Sequence, residues 1–205
     1  MEINFIKPSY EIISVTPNVI SLMELVGRNA YKSESKITQQ SATTFLSMII
    51  KKGHHGILEH GVITIRFICS RTIANELVRH RVASYVQLSQ RYVDYTKKES
   101  INVVLPLGLT ENQTETFKLS VEQSITDYFD LIKQGVKPQV AREVLPNGFY
   151  TDIIATFNFR SLRNMLSLRC DESAHPEMRR LMKPLLDDLF QQYPVLFEDI
   201  IEMIK

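Results

Sequence analysis

The chain has 205 residues, of which 44% are hydrophobic, and its 24 lysines and arginines face 23 aspartates and glutamates. The formal charge of +1 excludes a chain-wide basic field for nonspecific nucleic-acid binding, so any anion site has to be local. The length and hydrophobic content predict one compact domain over residues 1–205, although two small domains would also fit.

Cysteine usage and the N-terminal sequence indicate where the protein works. Cys69 and Cys170 lie far apart and lack a metal-ligand spacing such as CxxC, which is typical of a reducing compartment without structural disulfides. MEINFIKPSYEIISV mixes charged and polar residues with apolar ones, unlike a signal peptide. No window approaches the roughly 20 apolar residues that a membrane helix needs. We therefore expect a soluble, cytoplasmic protein.

The first half of the chain alternates between strand and helix patterns. INFI and YEIISV predict two strands, and a helical pattern starts at Val19. A second helical segment, TQQSATTFLSMIIKKG, ends at Gly53 and is followed by the turn-like HHGILEHG. Alternation in VITIRFICS predicts a half-buried strand, and TIANELVRHR predicts a helix whose first turn Thr72 could cap.

The second half is mainly helical. Residues 101–111 look like a loop, after which a long amphipathic helix ends at Gly135 and KPQVAREVLP predicts a short helix. FYTDIIATFN predicts a strand, FRSLRNMLSLRCD a helix capped by Asn158, and the last third two more helices. This order predicts an α+β fold: a central, mostly antiparallel sheet covered by helices, with a helical C-terminal third.

The segment RHRVASYVQLSQRY, residues 79–92, concentrates positive charge, with three arginines and one histidine in fourteen residues and no carboxylate from Arg79 through Val93. No GxGxxG or GxxxxGK[ST] loop occurs, so nucleotide or flavin phosphates would be bound by arginine, serine and backbone N–H groups. Arginine binds phosphate bidentately, and Ser84 and Ser89 add hydroxyl donors. Alternatively, Arg79 and Arg81 are ordinary surface cations that favour a helix dipole.

Two further patterns concern possible ligands. GHHGILEH contains three histidines and one glutamate, but it is not HExxH, so a turn beside a ligand is favoured over a metal site. Arg169 follows Leu162 and Leu166 at helical spacing, so it should point inward and need an acceptor. That acceptor is either one of the chain's own carboxylates or an anionic or polarised ligand group.

Together these segments resemble the flavin-dependent thymidylate synthase family. Arg79-His80-Arg81, seven intervening residues and Ser89 reproduce the family's RHR-x7-S signature. GHHGILEH resembles its GHxSxxEH turn and VAREVLP its arginine-bearing VAR segment. FNFRSLRNMLSLR with AHPEMR resembles its C-terminal substrate-binding region. The matches cover most of residues 50–180 in the right order.

The resemblance implies a reaction and its partners. The activity would be reductive methylation of dUMP to dTMP, with methylenetetrahydrofolate as the carbon donor and FAD, reduced by NADPH, as the hydride source. A homotetramer with active sites between subunits is implied, without a cysteine nucleophile and without a dinucleotide-binding fold. We expect no nucleic-acid or membrane partner.

The resemblance also implies roles for individual residues. Arg169 would be catalytic, polarising the uracil and favouring ionised N3, and His54 would lie at the flavin and folate face. The implied FAD-binding residues are Gly56, Arg79, His80, Arg81, Gln87, Asn158 and Asn164. The implied dUMP-binding residues are Glu76, Arg79, Gln87, Leu88, Ser89, Gln90, Arg91, Arg142 and Arg169. No metal is implied. Because Gly56 replaces the usual serine or threonine, we expect weaker FAD binding with activity retained.

Two other functions stay open at the level of sequence. A nucleic-acid-binding module would use the basic segment together with Tyr85, Tyr92 and Tyr95 as backbone and stacking contacts. A flavin-binding oxidoreductase, or a paralogue that kept the site but lost synthase chemistry, would bind the same flavin without methylating dUMP.

Overall fold

The computed structural model describes residues 2–204 as strands, α-helices and short 3-10 helices. The strands are β1 (Glu2–Ile6), β2 (Ser9–Val15), β3 (Val62–Ser70), β4 (Ala83–Gln87), β5 (Ser100–Val104) and β6 (Tyr150–Asn158). The helices are α1 (Val19–Asn29), α2 (Ser41–Lys51), α3 (Arg71–Leu77), α4 (Glu111–Lys133), α5 (Pro138–Ala141), α6 (Phe159–Arg169), α7 (Pro176–Gln192) and α8 (Pro194–Met203). Within residues 2–204, none of these helices is both long and apolar enough to span a bilayer.

Four strands form one sheet in the order β2-β3-β6-β4, with β4 at an edge. Between β3 and β6, the Thr64 and Thr156 hydroxyls are 2.9 Å apart, whereas the Arg71 amide donates to the Phe149 carbonyl. As residue numbers rise along β3, the numbers of the residues that they contact on β6 fall, as antiparallel pairing requires. The predicted antiparallel sheet and helical C-terminal third are confirmed.

The sequence predictions fail at three local positions. Residues 101–111 were expected to be a loop, but β5 occupies Ser100–Val104 and pairs in parallel with β1, Glu2 lying opposite Ser100. A strand this short, paired with one almost a hundred residues earlier, leaves no local pattern. No element was predicted for β4. Helix α3 is capped by Ser70, whose side chain accepts from the Ile73 amide, and not by Thr72.

Contacts divide the chain into two compact units. The first comprises Met1–Ser9, Phe67–Arg79 and Val86–Ile153, and the second comprises Tyr10–Arg66, His80–Tyr85 and Ile154–Lys205. Neither unit is a continuous stretch of sequence, because the chain passes repeatedly from one to the other. The single domain over residues 1–205 stays a prediction.

The first unit has an aromatic core around β5 and α4. Tyr95 packs edge-on against Phe149 with ring centroids 5.0 Å apart and against Tyr128 at 6.1 Å. All three rings are buried, and pairs of this geometry add to the free energy of burial. This core anchors the C-terminal end of the segment that follows β4.

In the second unit, helices α1 and α6 pack against a turn at Gly61. The Phe159 amide donates to the Gly61 carbonyl at 3.1 Å. A Cβ atom at Gly61 would lie 2.4 Å from Val19 and 2.6 Å from Met23, so only glycine allows this approach. The start of α6 is thereby placed directly against the turn.

Two sets of polar contacts fix α6. Asn158 caps it as predicted, its Oδ1 accepting from the Ser161 amide at 2.8 Å. Arg163 is buried, and its Nη1 and Nη2 donate to the two Asp199 oxygens at 2.9 and 2.5 Å, while the Leu196 carbonyl also accepts from Nη1. This bidentate pair joins α6 to α8.

We expect Asp199→Ala to lower the free energy of unfolding by about 2 kcal/mol, because it leaves the buried Arg163 guanidinium short of acceptors. The matched control is Asp130→Ala, which removes the partner of Lys133 from a pair of exposed side chains and should cost less than about 1 kcal/mol. Urea unfolding of both variants measures the difference. Equal losses would contradict a structural role for the Arg163–Asp199 pair.

Candidate functional site

The residues implied by sequence divide between the two units. The segment 79–92 leaves α3, passes through β4 and turns before the buried Tyr95. Arg79 belongs to the first unit, His80–Tyr85 to the second, and the chain from Val86 onward to the first again. Of the implied dUMP-binding residues, all but Arg169 lie in the first unit. The implied flavin-binding residues, apart from Arg79 and Gln87, lie in the second.

The clearest polar contact in the second unit joins His80 and Arg169. Arg169 Nε donates to His80 Nε2 at 2.9 Å across 89 positions of sequence. Because Nε2 accepts, the imidazole carries its proton on Nδ1 and is neutral. Burial, and secondarily the charge of Arg169, lowers the pKa of His80 to about 4. The contact orients the guanidinium and does not itself neutralise it.

Arg169 is the last residue of α6 and is half-buried. This confirms the prediction that its side chain points inward. Sequence reasoning expected its acceptor to be a carboxylate or a ligand. The structure supplies an imidazole as one acceptor, which that reasoning missed. A histidine is an acceptor only when neutral, and nothing in the local sequence reports the burial that keeps His80 neutral.

Tyr85 supports His80 from the second unit's part of β4. Its hydroxyl donates to the His80 carbonyl at 2.8 Å, and its ring packs edge-on against Phe157 at 5.9 Å. Burial raises the pKa of Tyr85 to about 12. Of the three tyrosines that a nucleic-acid module would use for stacking, Tyr85 is half-buried, Tyr95 is buried, and Tyr92 is 78% exposed. The structure therefore disfavours a stacking surface built from these rings.

The implied flavin positions on α6 present hydrogen-bond donors. The Asn158 oxygen is engaged in the helix cap, which directs the amide NH₂ group away from the helix. Asn164 is exposed and lines a cavity of about 360 Å³ together with His55 and Arg160. Arg160 Nη1 donates to Glu59 Oε1 at 2.5 Å. Sequence reasoning missed Arg160, although its spacing of four from Asn164 places both on one helix face.

The turn that precedes β3 is a 3-10 helix, His55–His60, where sequence reasoning described only a turn-like patch. Nothing lies within 4 Å of a Cβ atom added at Gly56, so a serine would fit there without displacing a neighbour. His54 is exposed just before this helix. Among residues 2–204, no three histidines, cysteines, aspartates or glutamates come together as metal ligands.

In the first unit, the end of β4 is anchored on β6. Gln87 Nε2 donates to the Thr151 hydroxyl at 3.1 Å. The Leu88 amide donates to the Asp152 carbonyl at 2.8 Å. These contacts fix the backbone just before Ser89, the last residue of the signature.

Ser89 and Arg91 form a compact turn after β4. The Ser89 hydroxyl oxygen accepts from the Arg91 amide at 3.3 Å, so its own hydrogen is directed elsewhere. The Arg91 guanidinium lies 5.3 Å from the centroid of the Tyr92 ring, a cation–π arrangement at an exposed site. A hydroxyl donor and a guanidinium next to each other suit a phosphate.

The remaining implied nucleotide positions are spread over the first unit. Glu76 is half-buried on α3, and its carbonyl accepts from the amide of the exposed Arg79. Gln90 is buried. Arg142 begins a short 3-10 helix and has its Nε 3.6 Å from Glu143 Oε1. Arg79 and Arg91 are thus the cations of this set most exposed to an incoming anion.

The two cysteines are poor nucleophiles. Both are buried, and they are not joined in a disulfide. Burial raises the pKa of Cys69 to about 12 and that of Cys170 to about 12, whereas the thiolate is the reactive form.

The implied flavin positions offer hydrogen-bond donors of several kinds. Arginine, asparagine, the protonated Nδ1 of a neutral histidine and the Gly56 amide all match the phosphates and carbonyl oxygens of a flavin nucleotide. The residues present therefore fit a flavin.

Comparison with known proteins identifies the family. The family model described as thymidylate synthase complementing protein matches residues 11–195. A flavin-dependent thymidylate synthase of Geobacter sulfurreducens is 34% identical over 197 residues, covering 92% of this chain and 84% of the relative. One from Mycolicibacterium gilvum is 35% identical, covering 87% and 78%. The chain belongs to the flavin-dependent thymidylate synthase family, and the prediction that it is an enzyme of this family is confirmed.

A solved structure confirms the fold. The UMP/dUMP methylase PolB from Streptomyces cacaoi, bound with 5-Br dUMP, superposes with a TM-score of 0.84 at 19% sequence identity. The alignment covers 100% of this chain and 98% of the methylase. At this identity the likeness establishes the α+β architecture.

We expect His80 to make the protein less stable as the pH falls from 6.5 to about 4. The unfolded chain takes up a proton near the ordinary pKa of 6.5, whereas the folded protein resists protonation down to about 4. Within that window the unfolded state binds more protons. The contribution of His80 to the free energy of unfolding is therefore complete above pH 6.5 and is lost as the pH falls to about 4. The free energy of unfolding changes through this group by at most about 1.4 kcal/mol per pH unit.

Urea unfolding at half-unit pH steps measures this slope. His80→Gln keeps an acceptor for Arg169 but does not titrate, so it should flatten the pH dependence in this window. His60→Gln, which removes an exposed histidine, is the matched control. A slope that His80→Gln leaves unchanged would show that His80 is not held neutral.

Proposed function

We propose that the protein is a flavin-dependent thymidylate synthase that converts dUMP to dTMP by reductive methylation. Methylenetetrahydrofolate provides the carbon, and bound FAD, after reduction by NADPH, supplies the hydride. The observation that carries this proposal is the hydrogen bond between Arg169 Nε and His80 Nε2. It joins the RHR signature to the arginine that the family resemblance associates with the pyrimidine.

Arg169 acts on the pyrimidine by electrostatics. A guanidinium beside O2 and N3 stabilises the negative charge that appears on the ring when C5 becomes nucleophilic, and oriented charge of this kind usually contributes most to catalysis. His80 holds the guanidinium through its side chain and is itself held by Tyr85. Neither Cys69 nor Cys170 acts as a nucleophile, which is consistent with their burial and raised pKa values.

The nucleotide is bound mainly by the turn after β4. Ser89 and Arg91 hold the dUMP phosphate, with Arg79 adding a further cation. Gln87, Leu88 and Gln90 shape the same site, and Glu76 and Arg142 contact the nucleotide from α3 and from the 3-10 helix. Support comes from the anchoring of this strand end to β6, which fixes the donors before the substrate arrives.

The flavin is bound by donors of the second unit. His80, Arg81, Asn158 and Asn164 would contact it through side chains, and Gly56 through its backbone N–H. His54 lies at the face shared by flavin and folate. No metal takes part. Since Gly56 offers no hydroxyl, FAD binds less tightly than it would with serine at this position, while turnover is retained.

The active protein is a homotetramer in the cytoplasm, with each active site built between subunits. Support for assembly comes from the edge strand β4 and the residue before it, where two valine side chains are exposed. Val82, just before it, is 68% exposed and Val86 is 74% exposed, a pattern that monomeric proteins usually avoid on a sheet edge. The two free cysteines fit a reducing compartment.

We expect Arg169→Ala to reduce tritium release from dUMP labelled at C5 by at least about a hundredfold, because the charge that stabilises the pyrimidine is lost. The purified variant should keep its FAD absorbance, since the flavin contacts come from other residues. Lys183→Ala, which removes an exposed cation on α7, is the matched control and should react like the unmodified protein.

The same assay separates the possible functions. Normal tritium release by Arg169→Ala would contradict the role of this arginine. An unmodified protein that binds FAD yet releases no tritium from dUMP in the presence of NADPH and methylenetetrahydrofolate would instead be the paralogue without synthase chemistry.

A further inference from the structure

Three buried polar side chains of the first unit form an unusual set. Among residues 2–204, the buried side-chain nitrogen and oxygen atoms that lack a hydrogen-bond partner are Gln90 Nε2, Tyr95 Oη and Tyr128 Oη. Gln90 is 6% exposed, Tyr95 5% and Tyr128 0%. Such atoms are rare in folded proteins, because burying a polar atom without a partner is unfavourable.

The three atoms lie close to one another, and we call their residues the Gln90 cluster. The Tyr95 and Tyr128 rings pack edge-on with centroids 6.1 Å apart. Burial raises the pKa of Tyr95 to about 12, and Tyr128 and the Gln90 side chain are among the smaller influences on it. Burial also raises the pKa of Tyr128, and the Tyr95 backbone opposes that shift. Gln90 is therefore near the Tyr95 hydroxyl, although no hydrogen bond of ordinary geometry joins them.

The cluster includes the inward side chain of the turn after β4. The Tyr92 and Val93 amides donate to the Ser89 carbonyl at 3.3 and 3.0 Å, which closes this turn. Ser89 is half-buried and Arg91 is exposed, whereas Gln90 between them is buried. The turn thus presents its phosphate donors on one side and the Gln90 amide group on the other.

The two tyrosines come from elements that are themselves fixed. Asp94 Oδ1 accepts from the Thr96 amide at 3.0 Å and from the Thr96 hydroxyl at 2.6 Å, which caps the 3-10 helix Tyr95–Lys97. Tyr128 lies on the long helix α4 and belongs to the aromatic core. A link from Gln90 to both rings would therefore tie the turn to the core of the first unit.

We propose that the Gln90 cluster binds one buried water molecule, which holds the turn of Ser89 and Arg91 in its phosphate-binding position. Buried waters typically make about three hydrogen bonds to polar groups that the protein leaves unsatisfied. Polar groups that are near each other without bonding directly are often bridged in this way. A tyrosine hydroxyl donates or accepts and the Gln90 amide nitrogen donates, so one water can bond to all three atoms.

Tyr95 and Tyr128 are then positioning residues, which act on the nucleotide only through the turn. This inference rests on the proposed function, in which Ser89 and Arg91 hold the dUMP phosphate. It adds to that function a buried support that fixes the two donors before the nucleotide arrives.

The test is isothermal titration of dUMP into the full-length protein saturated with FAD. Tyr95→Phe and Tyr128→Phe keep the rings and remove one hydroxyl each, and we expect each to weaken dUMP binding about fivefold. In an Arg91→Gln background the same changes should weaken binding less than about twofold, because the guanidinium that they position is already gone. Tyr193→Phe removes a half-buried hydroxyl in the second unit and should leave dUMP binding unchanged.

Urea unfolding of the two tyrosine variants tests the water itself. If a water satisfies the hydroxyls, each variant leaves the water and Gln90 short of a partner, so the midpoint urea concentration falls. If the hydroxyls are buried without any partner, their removal is favourable and the midpoint rises. A midpoint that rises or stays unchanged would overturn the inference.

Two binding results would also overturn it: dUMP affinity that neither tyrosine variant changes, or equal losses with and without Arg91→Gln. Tritium release separates these results from a failure of the proposed function. A protein that releases tritium but whose dUMP affinity is insensitive to the tyrosine variants loses the inference alone. Cluster-dependent dUMP binding without tritium release refutes the synthase function and leaves the inference in place. An unmodified protein that binds no dUMP refutes both.

Discussion

The hydrogen bond from Arg169 to His80 depends on a histidine that stays unprotonated. A protonated imidazole has no lone pair for Arg169 Nε, and it would place a second positive charge next to the first. Burial removes this state, as the lowered pKa of His80 shows. The position of the guanidinium is therefore set by solvent exclusion around its acceptor as much as by the bond itself.

Both partners of this bond are held by further contacts. Tyr85 binds the His80 carbonyl, and its ring packs on Phe157 of β6. At the other partner, α6 starts at the Asn158 cap and is joined to α8 through Arg163. Rigid support of this kind holds the Arg169 guanidinium in place before any ligand binds, which is what its proposed electrostatic role requires.

The chain concentrates its positive charge in two places although its net charge is only +1. One is the segment 79–92, and the other is a cavity in the second unit whose lining includes Arg28, Lys36 and Lys52. Local clusters of this kind select small anions with defined geometry, whereas nonspecific nucleic-acid binding needs a broad positive surface. The half-buried Tyr85 and the buried Tyr95 are in line with that distinction, because neither ring is free to stack on a base.

Sequence reasoning succeeded where one short-range rule determines the structure. Alternation predicted β3, and an asparagine before an amphipathic run predicted the cap of α6. It failed where the partner is distant: β5 exists because β1 pairs with it, and Arg169 has His80 as an acceptor only because folding buries that histidine. Single sequences carry little information about such contacts, because a pairing that spans the chain leaves no local periodicity.

The central claim, that the signature arginines and histidine form a flavin and nucleotide site, is tested most directly by visible absorbance spectroscopy. The protein is incubated with FAD, desalted, and then treated anaerobically with NADPH and dUMP. The account predicts a retained flavin band that bleaches with NADPH and responds to dUMP. A colourless protein after desalting would contradict it and would leave the positive charge of residues 79–92 without a flavin to explain it.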